Sequence, residues 1–64
     1  MITTIVGSTA IIKNKERDCF ERGIITRTWR RKETRFYDVR LERGTCLEAI
    51  TEHTNNSFYI YKIV

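Results

Sequence analysis

The sequence predicts an all-β domain in which five antiparallel strands form a small barrel. Three observations support this prediction. No stretch keeps apolar residues at the three- to four-residue spacing of an amphipathic helix. β-Branched and aromatic residues instead recur in short runs that are separated by turn-forming clusters. The chain has 64 residues, which is enough for one hydrophobic core, so residues 1–64 are expected to form a single domain.

The strands are placed where these runs occur, near Ser8–Lys13, Gly23–Arg30, Thr34–Glu42, Thr45–Ile50 and Phe58–Ile63. The four gaps between them carry polar residues and glycine that favour turns. These turns are Asn14–Asp18, the Arg31–Lys32 tip, Arg43–Gly44 and Thr51–Asn56.

The register of the second and third strands follows from side-chain alternation. If these strands meet at a tight Arg31–Lys32 turn, Ile24 lies opposite Val39 on the core face, because side chains alternate between the two faces of a sheet. The opposite face then pairs Ile25 with Asp38, Arg27 with Phe36 and Trp29 with Thr34. This face is expected to be a surface of arginine and aromatic side chains.

The turn between the third and fourth strands can be chosen by the same alternation. A two-residue loop would place Glu48 opposite Val39 in the core, where an unpaired carboxylate is costly. A three-residue loop, Glu42 to Gly44, places Leu47 opposite Val39 and Ala49 opposite Tyr37. Glycine at the third position suits the left-handed residue of a type I turn with a bulge. The sequence therefore predicts the three-residue loop.

The positive charge of the chain is concentrated in the second predicted hairpin. The formal net charge is +4, and the segment from Arg27 to Arg35 holds five basic residues against Glu33 alone, which accounts for all of it. A basic segment on a neutral background is typical of an electrostatic contact surface for an anionic partner.

The candidate nucleic-acid-binding residues combine guanidinium groups and aromatic rings. Guanidinium groups bind phosphate through paired donors, and an exposed ring can stack on an unpaired base for about 1–3 kcal/mol. Alternatively, the aromatic rings cover apolar surface or pack into a dimer, which would make this surface a protein interface. The candidate residues are Arg27, Trp29, Arg30, Arg31, Lys32, Arg35, Phe36 and Arg40.

Several segments together resemble a known family. The segments Val6–Ile12, Glu21–Thr26 and Tyr37–Gly44, followed by Leu47, resemble the five-stranded SH3-like barrel of the Tudor and KOW type. This resemblance implies a barrel that binds nucleic acid, methylated side chains or protein partners. In Tudor-type readers an aromatic cage holds the methylated group. Here Phe20 and Tyr37 lie near cage positions, but the Glu42–Thr45 turn has no aromatic residue, so cation–π binding would be weak.

Other functional classes have little support in the sequence. His53 stands beside Glu52 without a nucleophile at a recognisable spacing, so no enzyme is expected. One histidine and two cysteines are too few for a four-ligand zinc site, and no metal or cofactor is expected. The apolar Met1–Ile12 segment reads neither as a signal peptide nor as a membrane span. A cytoplasmic location follows as the default, with Cys19 and Cys46 reduced.

The functional expectation is a small accessory or regulatory protein that binds nucleic acid, DNA or RNA, or a protein of a nucleic-acid machine. The short chain, which contains no proline, also resembles the small accessory proteins of tailed bacteriophages. The alternative function is an adaptor or inhibitor of a host protein. The surplus of aromatic residues over what one small core can enclose also leaves a homodimer open. No membrane partner is expected.

Overall fold

A computed structural model describes residues 5–64 and contains five strands. They are β1 (Thr9–Asn14), β2 (Cys19–Arg31), β3 (Thr34–Leu41), β4 (Cys46–Ile50) and β5 (Phe58–Ile63). All five predicted strands are present, and the ends of β1, β3 and β4 differ from the predicted ones by one residue. Two further differences concern β2 and the hairpin that it forms with β3. β2 begins at Cys19, four residues before the predicted start, and the turn of this hairpin is Lys32–Glu33. Within the described residues no helix is present that is long and apolar enough to cross a bilayer.

The strands form one antiparallel sheet in the order β4-β3-β2-β1-β5. β4 and β5 are its two edges and do not pair with each other, so the sheet is not closed and the predicted barrel is not confirmed. The two edges approach each other just after β4, where the backbone N–H of Ile60 donates to the carbonyl of Thr51 at 2.8 Å. The sheet therefore curves around its core without completing the ladder of a barrel.

The core lies on one face of this sheet, and we call the opposite face the outer face. The buried side chains come from all five strands, and Ile12, Ile25 and Val39 are the largest that are fully enclosed. In the described part of the chain, the buried apolar cluster consists of Ala10, Ile12, Ile25, Tyr37, Val39, Leu41, Ile50 and Ile60.

The predicted register of β2 against β3 is wrong by one residue at Ile24. Val39 lies opposite Ile25, which is fully buried, whereas Ile24 lies opposite Arg40 and is 39% exposed. A bulge at Thr26 then adds a second residue to the shift. Arg27 pairs with Asp38 and Trp29 with Phe36, so the predicted pairs of Arg27 with Phe36 and Trp29 with Thr34 are wrong by two residues. The extra residue lets Ile25 point into the core while Arg27 remains on the outer face, which strict alternation forbids.

The turn between β3 and β4 has the predicted length. The backbone N–H of Leu41 donates to Thr45 at 2.8 Å, and Gly44 adopts the left-handed φ of 96°. Leu47 lies opposite Val39, as predicted. Ala49, however, does not lie opposite Tyr37. It forms a bulge with a φ of 56°, its N–H donates to the Asp38 carboxylate at 2.9 Å, and Ile50 takes the position opposite Tyr37.

A carboxylate clamp ties the first turn to the β3–β4 turn. Glu21 accepts two hydrogen bonds from the Arg43 guanidinium, at 2.6 and 3.1 Å, and one from the Asn14 amide at 2.9 Å. The same Asn14 side chain accepts the backbone N–H groups of Glu16 and Arg17 and so shapes the turn after β1. The bonds from Arg43, and then the one from Asn14, lower the pKa of Glu21 below its ordinary value of 4.5.

This clamp predicts acid sensitivity. Because the pKa of Glu21 is lower in the folded state than in the unfolded chain, its contribution to stability is present above about pH 4.5 and is lost as the pH falls through the folded-state value. Denaturant unfolding of the wild type and Glu21→Gln should therefore show a less stable variant at pH 7, with the difference shrinking below pH 4. An equal difference at both pH values would show that the Glu21 carboxylate charge contributes nothing to folding.

Candidate nucleic-acid interface

The β2–β3 hairpin extends beyond the strands on either side of it. β1 pairs only with the Cys19–Ile24 part of β2, and β4 pairs only with the Tyr37–Arg40 part of β3. The segment of residues 27–36, which we call the hairpin arm, is therefore a two-stranded ribbon that has no further strand on either side among residues 5–64. The molecule measures 37 × 23 × 17 Å along its principal axes. Such a ribbon is narrow enough to enter a groove or to be covered by a partner on both faces.

The outer face of the arm carries a stacked pair of aromatic rings. Trp29 and Phe36 lie directly opposite each other in the ladder, and their ring centroids are 5.6 Å apart with an interplanar angle of 17°. The guanidinium carbon of Arg27 lies 4.6 Å from the centre of the Trp29 ring, within cation–π distance. Arg27 also approaches the Asp38 carboxylate at 4.0 Å. The Trp29–Phe36 stack therefore forms an aromatic surface with the positive charge of Arg27 beside it.

The inner side of the arm, opposite the outer face, carries a pair of arginine side chains. Arg30 and Arg35 lie opposite each other in the ladder and line an open groove that also contains the carboxylates of Glu33 and Glu52. The Arg35 guanidinium donates to the Thr28 hydroxyl at 3.3 Å. Directly opposed like charges destabilise a hairpin, and the two carboxylates that line the same groove reduce this repulsion.

The eight predicted binding residues are thus divided among four places. Arg30 and Arg35 lie on the inner side, and Lys32 occupies the tip with a φ of 56°. Arg40 lies on the outer face of β3, opposite Cys46 and below the arm. The others lie on the outer face of the arm: Arg27, Trp29, Arg31 and Phe36.

Most of the arm's positive charge has no carboxylate partner. Among residues 5–64, the ion pairs within 4.0 Å are Lys13 with Asp18, Arg27 with Asp38, and Arg43 with Glu21. Within that range, the cationic groups of Arg30, Arg31, Lys32, Arg35 and Arg40 have no carboxylate this close. The arm therefore combines unpaired cations with an aromatic surface, and both can contact an anionic polymer that carries flat bases.

A second aromatic pair, which the sequence did not predict, lies on the outer face. The ring centroids of Phe20 on β2 and Tyr61 on β5 are 4.9 Å apart in an edge-on arrangement, and the Lys13 ammonium lies 4.6 Å from the centre of the Phe20 ring. Tyr61 is the extra residue of a β5 bulge opposite Ile11 and Ile12. Nothing in the sequence indicates this contact, because Phe20 and Tyr61 lie on different strands with β1 between them.

The two aromatic residues near Tudor cage positions are separated in the structure. Tyr37 is buried in the core and its hydroxyl donates to Glu52 at 3.2 Å, whereas Phe20 is 53% exposed on the outer face. Burial, followed by the Glu52 charge and the hydrogen bond to it, raises the pKa of Tyr37 above its ordinary value. Phe20 and Tyr37 therefore do not face a common ligand.

The other sequence candidates lie in peripheral positions. His53 is exposed in the loop after β4, where its backbone N–H donates to the Thr51 hydroxyl. Cys19 and Cys46 are free thiols. In the part of the chain that the structure describes, no group of three His, Cys, Asp or Glu residues could hold a metal ion.

No protein-family model, curated protein or solved structure matches this chain.

Proposed function

We propose that this protein is a small non-enzymatic factor that binds nucleic acid through its hairpin arm. The observation that carries the proposal is the set of unpaired cations on the arm, from Arg30 to Arg35, next to the Trp29–Phe36 stack. Cations that are already neutralised by carboxylates gain little from a phosphate, whereas unpaired guanidinium groups can bind one through two donors each.

The shape of the arm supports the same function. Its two strands run side by side for about five residues, roughly 17 Å at the rise of a β-strand. Over this length the side chains alternate, so Arg30 and Arg35 project to one side while Arg31 projects to the other with Trp29. A phosphate backbone that follows the arm meets positive charge on both sides and at the tip.

The resemblance to the SH3-like barrels of the Tudor and KOW type belongs to this proposal, as do an accessory or regulatory role and a cytoplasmic location. The open five-stranded antiparallel sheet is compatible with such a module. In this proposal the chain acts like a small accessory protein of a tailed bacteriophage, bound either to nucleic acid directly or to a machine that processes it.

Removing two arm cations should weaken binding in a salt-dependent way. We expect Arg30→Ala with Arg31→Ala to reduce the affinity for fluorescent oligonucleotides. The plot of log K against log salt should become less steep, by about 0.7 to 0.9 for each lost phosphate contact, because fewer counterions are released. Fluorescence anisotropy with single- and double-stranded oligonucleotides at two salt concentrations measures both quantities.

A charge-matched control separates contact from net charge. Lys15→Ala with Arg17→Ala removes the same two charges from the exposed turn after β1, so its salt slope should stay close to that of the wild type. If neither kind of oligonucleotide binds the wild type at low salt, the proposed function is wrong. Equal losses in the two double variants would show that net charge, and not the arm, governs binding.

One observation favours a protein partner as the second candidate. Trp29 and Phe36 stack on each other and are only half-exposed, and the apolar Ile24 lies exposed on the same face. An aromatic centre with a charged rim is typical of protein-interface hot spots. If the protein is an adaptor or inhibitor, the Trp29→Ala substitution should abolish binding of its protein partner. Salt should change the affinity for that partner only a little.

A further inference from the structure

The outer side chains of β2 form one continuous row along the molecule. Phe20, Arg22 and Ile24 point outward by alternation, and the bulge at Thr26 keeps Arg27 and Trp29 in the same row. Without this bulge Arg27 and Trp29 would point to the core face, as Ile25 does. The structure therefore connects the Trp29–Phe36 stack to the Phe20–Tyr61 pair on a single surface.

Both ends of this row carry a pair of rings, partly buried at Trp29 and Phe36 and exposed at Phe20 and Tyr61. Phe20 and Tyr61 are 53% and 59% exposed, which is unusually high for large apolar side chains that contact each other. The Lys13 ammonium at one end and the Arg27 guanidinium at the other each lie 4.6 Å from a ring centre. Each end thus has the same composition, two aromatic rings with one cation over them.

Charge on the outer face favours an anionic occupant. The strand carboxylates on this face are Asp38 and Glu48, and Asp18 and Glu42 lie in turns at its margin. Asp38 is already engaged by Arg27 and by the N–H of Ala49. The strand cations outnumber these carboxylates and are Lys13, Arg22, Arg27, Arg31, Arg40 and Lys62.

The distance between the two ends sets the length of the occupant. Trp29 is nine positions after Phe20 on β2, which corresponds to roughly 27–30 Å at the rise of a strand. At about 3.4 Å per stacked nucleotide this is about eight or nine nucleotides, and fewer if the strand is stretched. Such a length lies within the range that single-strand-binding domains occupy.

We propose that the outer face is a track for a single strand of nucleic acid, with bases stacked on both aromatic pairs and phosphates on the cations between them. This inference rests on the proposed function and specifies its ligand. A single strand is favoured over a duplex because exposed rings at the ends of a sheet face can stack only on unpaired bases.

Oligonucleotide length provides the test. A twelve-nucleotide oligothymidylate can reach both aromatic pairs, whereas a four-nucleotide one can reach only one of them. Phe20→Ala with Tyr61→Ala should weaken binding of the twelve-mer by about tenfold or more, because stacking on the second pair is lost. Binding of the four-mer should fall by no more than about twofold, since the Trp29–Phe36 stack remains. The salt slope should change little, because stacking releases few ions.

Two further variants make the result specific. Phe20→Leu with Tyr61→Leu keeps apolar surface but removes the rings, and it should lose twelve-mer affinity as the alanine variant does. Val64→Ala removes part of an exposed apolar side chain outside both aromatic pairs and should bind as the wild type does. Far-UV circular dichroism during heating checks that each variant is folded.

The outcomes distinguish the track from the proposed function. If the twelve-mer binds both double variants as it binds the wild type, while the Arg30 and Arg31 variant loses affinity, the track is wrong and the arm remains the binding site. Tighter binding of a twelve-base-pair duplex than of the twelve-mer would also overturn the track. Absence of binding to every oligonucleotide would overturn both.

Discussion

Ile25→Asp should abolish cooperative folding, whereas Ile24→Asp should leave a folded protein. Ile25 is fully buried against Val39, so a carboxylate there loses its hydration without gaining a partner. Chains of this size derive only about 3–5 kcal/mol from one core, and this penalty is of the same order. Ile24 is 39% exposed and lies opposite Arg40, which can pair with the introduced carboxylate.

Thermal unfolding followed by circular dichroism measures this difference. The two variants have identical composition and differ only in the face of β2 that receives the charge, so each is the control for the other. A folded Ile25→Asp variant together with an unfolded Ile24→Asp variant would support the register without the bulge and contradict the structure.

Gly23→Val should also destabilise the protein severely, through a close approach of backbone instead of a buried charge. A Cβ atom at Gly23 would lie 2.6 Å from a Val39 methyl carbon and 2.7 Å from the Arg40 carbonyl oxygen. The methyl group can move only into other core side chains, and the carbonyl belongs to a paired strand. We expect a loss of about 3 kcal/mol or more, at or above the upper end for overpacked cores.

Urea denaturation of Gly23→Val, Gly23→Ala and Gly44→Asn tests this. Gly44 has open space where a Cβ would lie, so asparagine there meets only the backbone strain of a φ of 96°, which it bears better than most residues. Its replacement should therefore cost far less than either change at Gly23. Wild-type stability of Gly23→Ala would show that β2 and β3 are farther apart than the structure places them.

The positions of the strands, most of the turns and the chemistry of the hairpin could be predicted from the sequence. Runs of β-branched and aromatic residues mark strands because these side chains pack well on a pleated surface, and this preference is local. The loop from Glu42 to Gly44 could be predicted because glycine supplies the left-handed residue and only this length places Leu47 in the core. The concentration of arginine from Arg27 to Arg35 is visible without any structure.

Which residues contact one another could be learned only from the tertiary structure. A bulge adds one residue without a mark in the hydrophobic pattern, so alternation placed Ile24 in the core and missed Ile25. Moving the tip to Lys32–Glu33 brings Trp29 opposite Phe36, and this creates the aromatic stack. The Phe20–Tyr61 pair depends on β5 lying beside β1. Such contacts join residues far apart in the chain, and the packing of the whole sheet selects them because local preferences do not encode register.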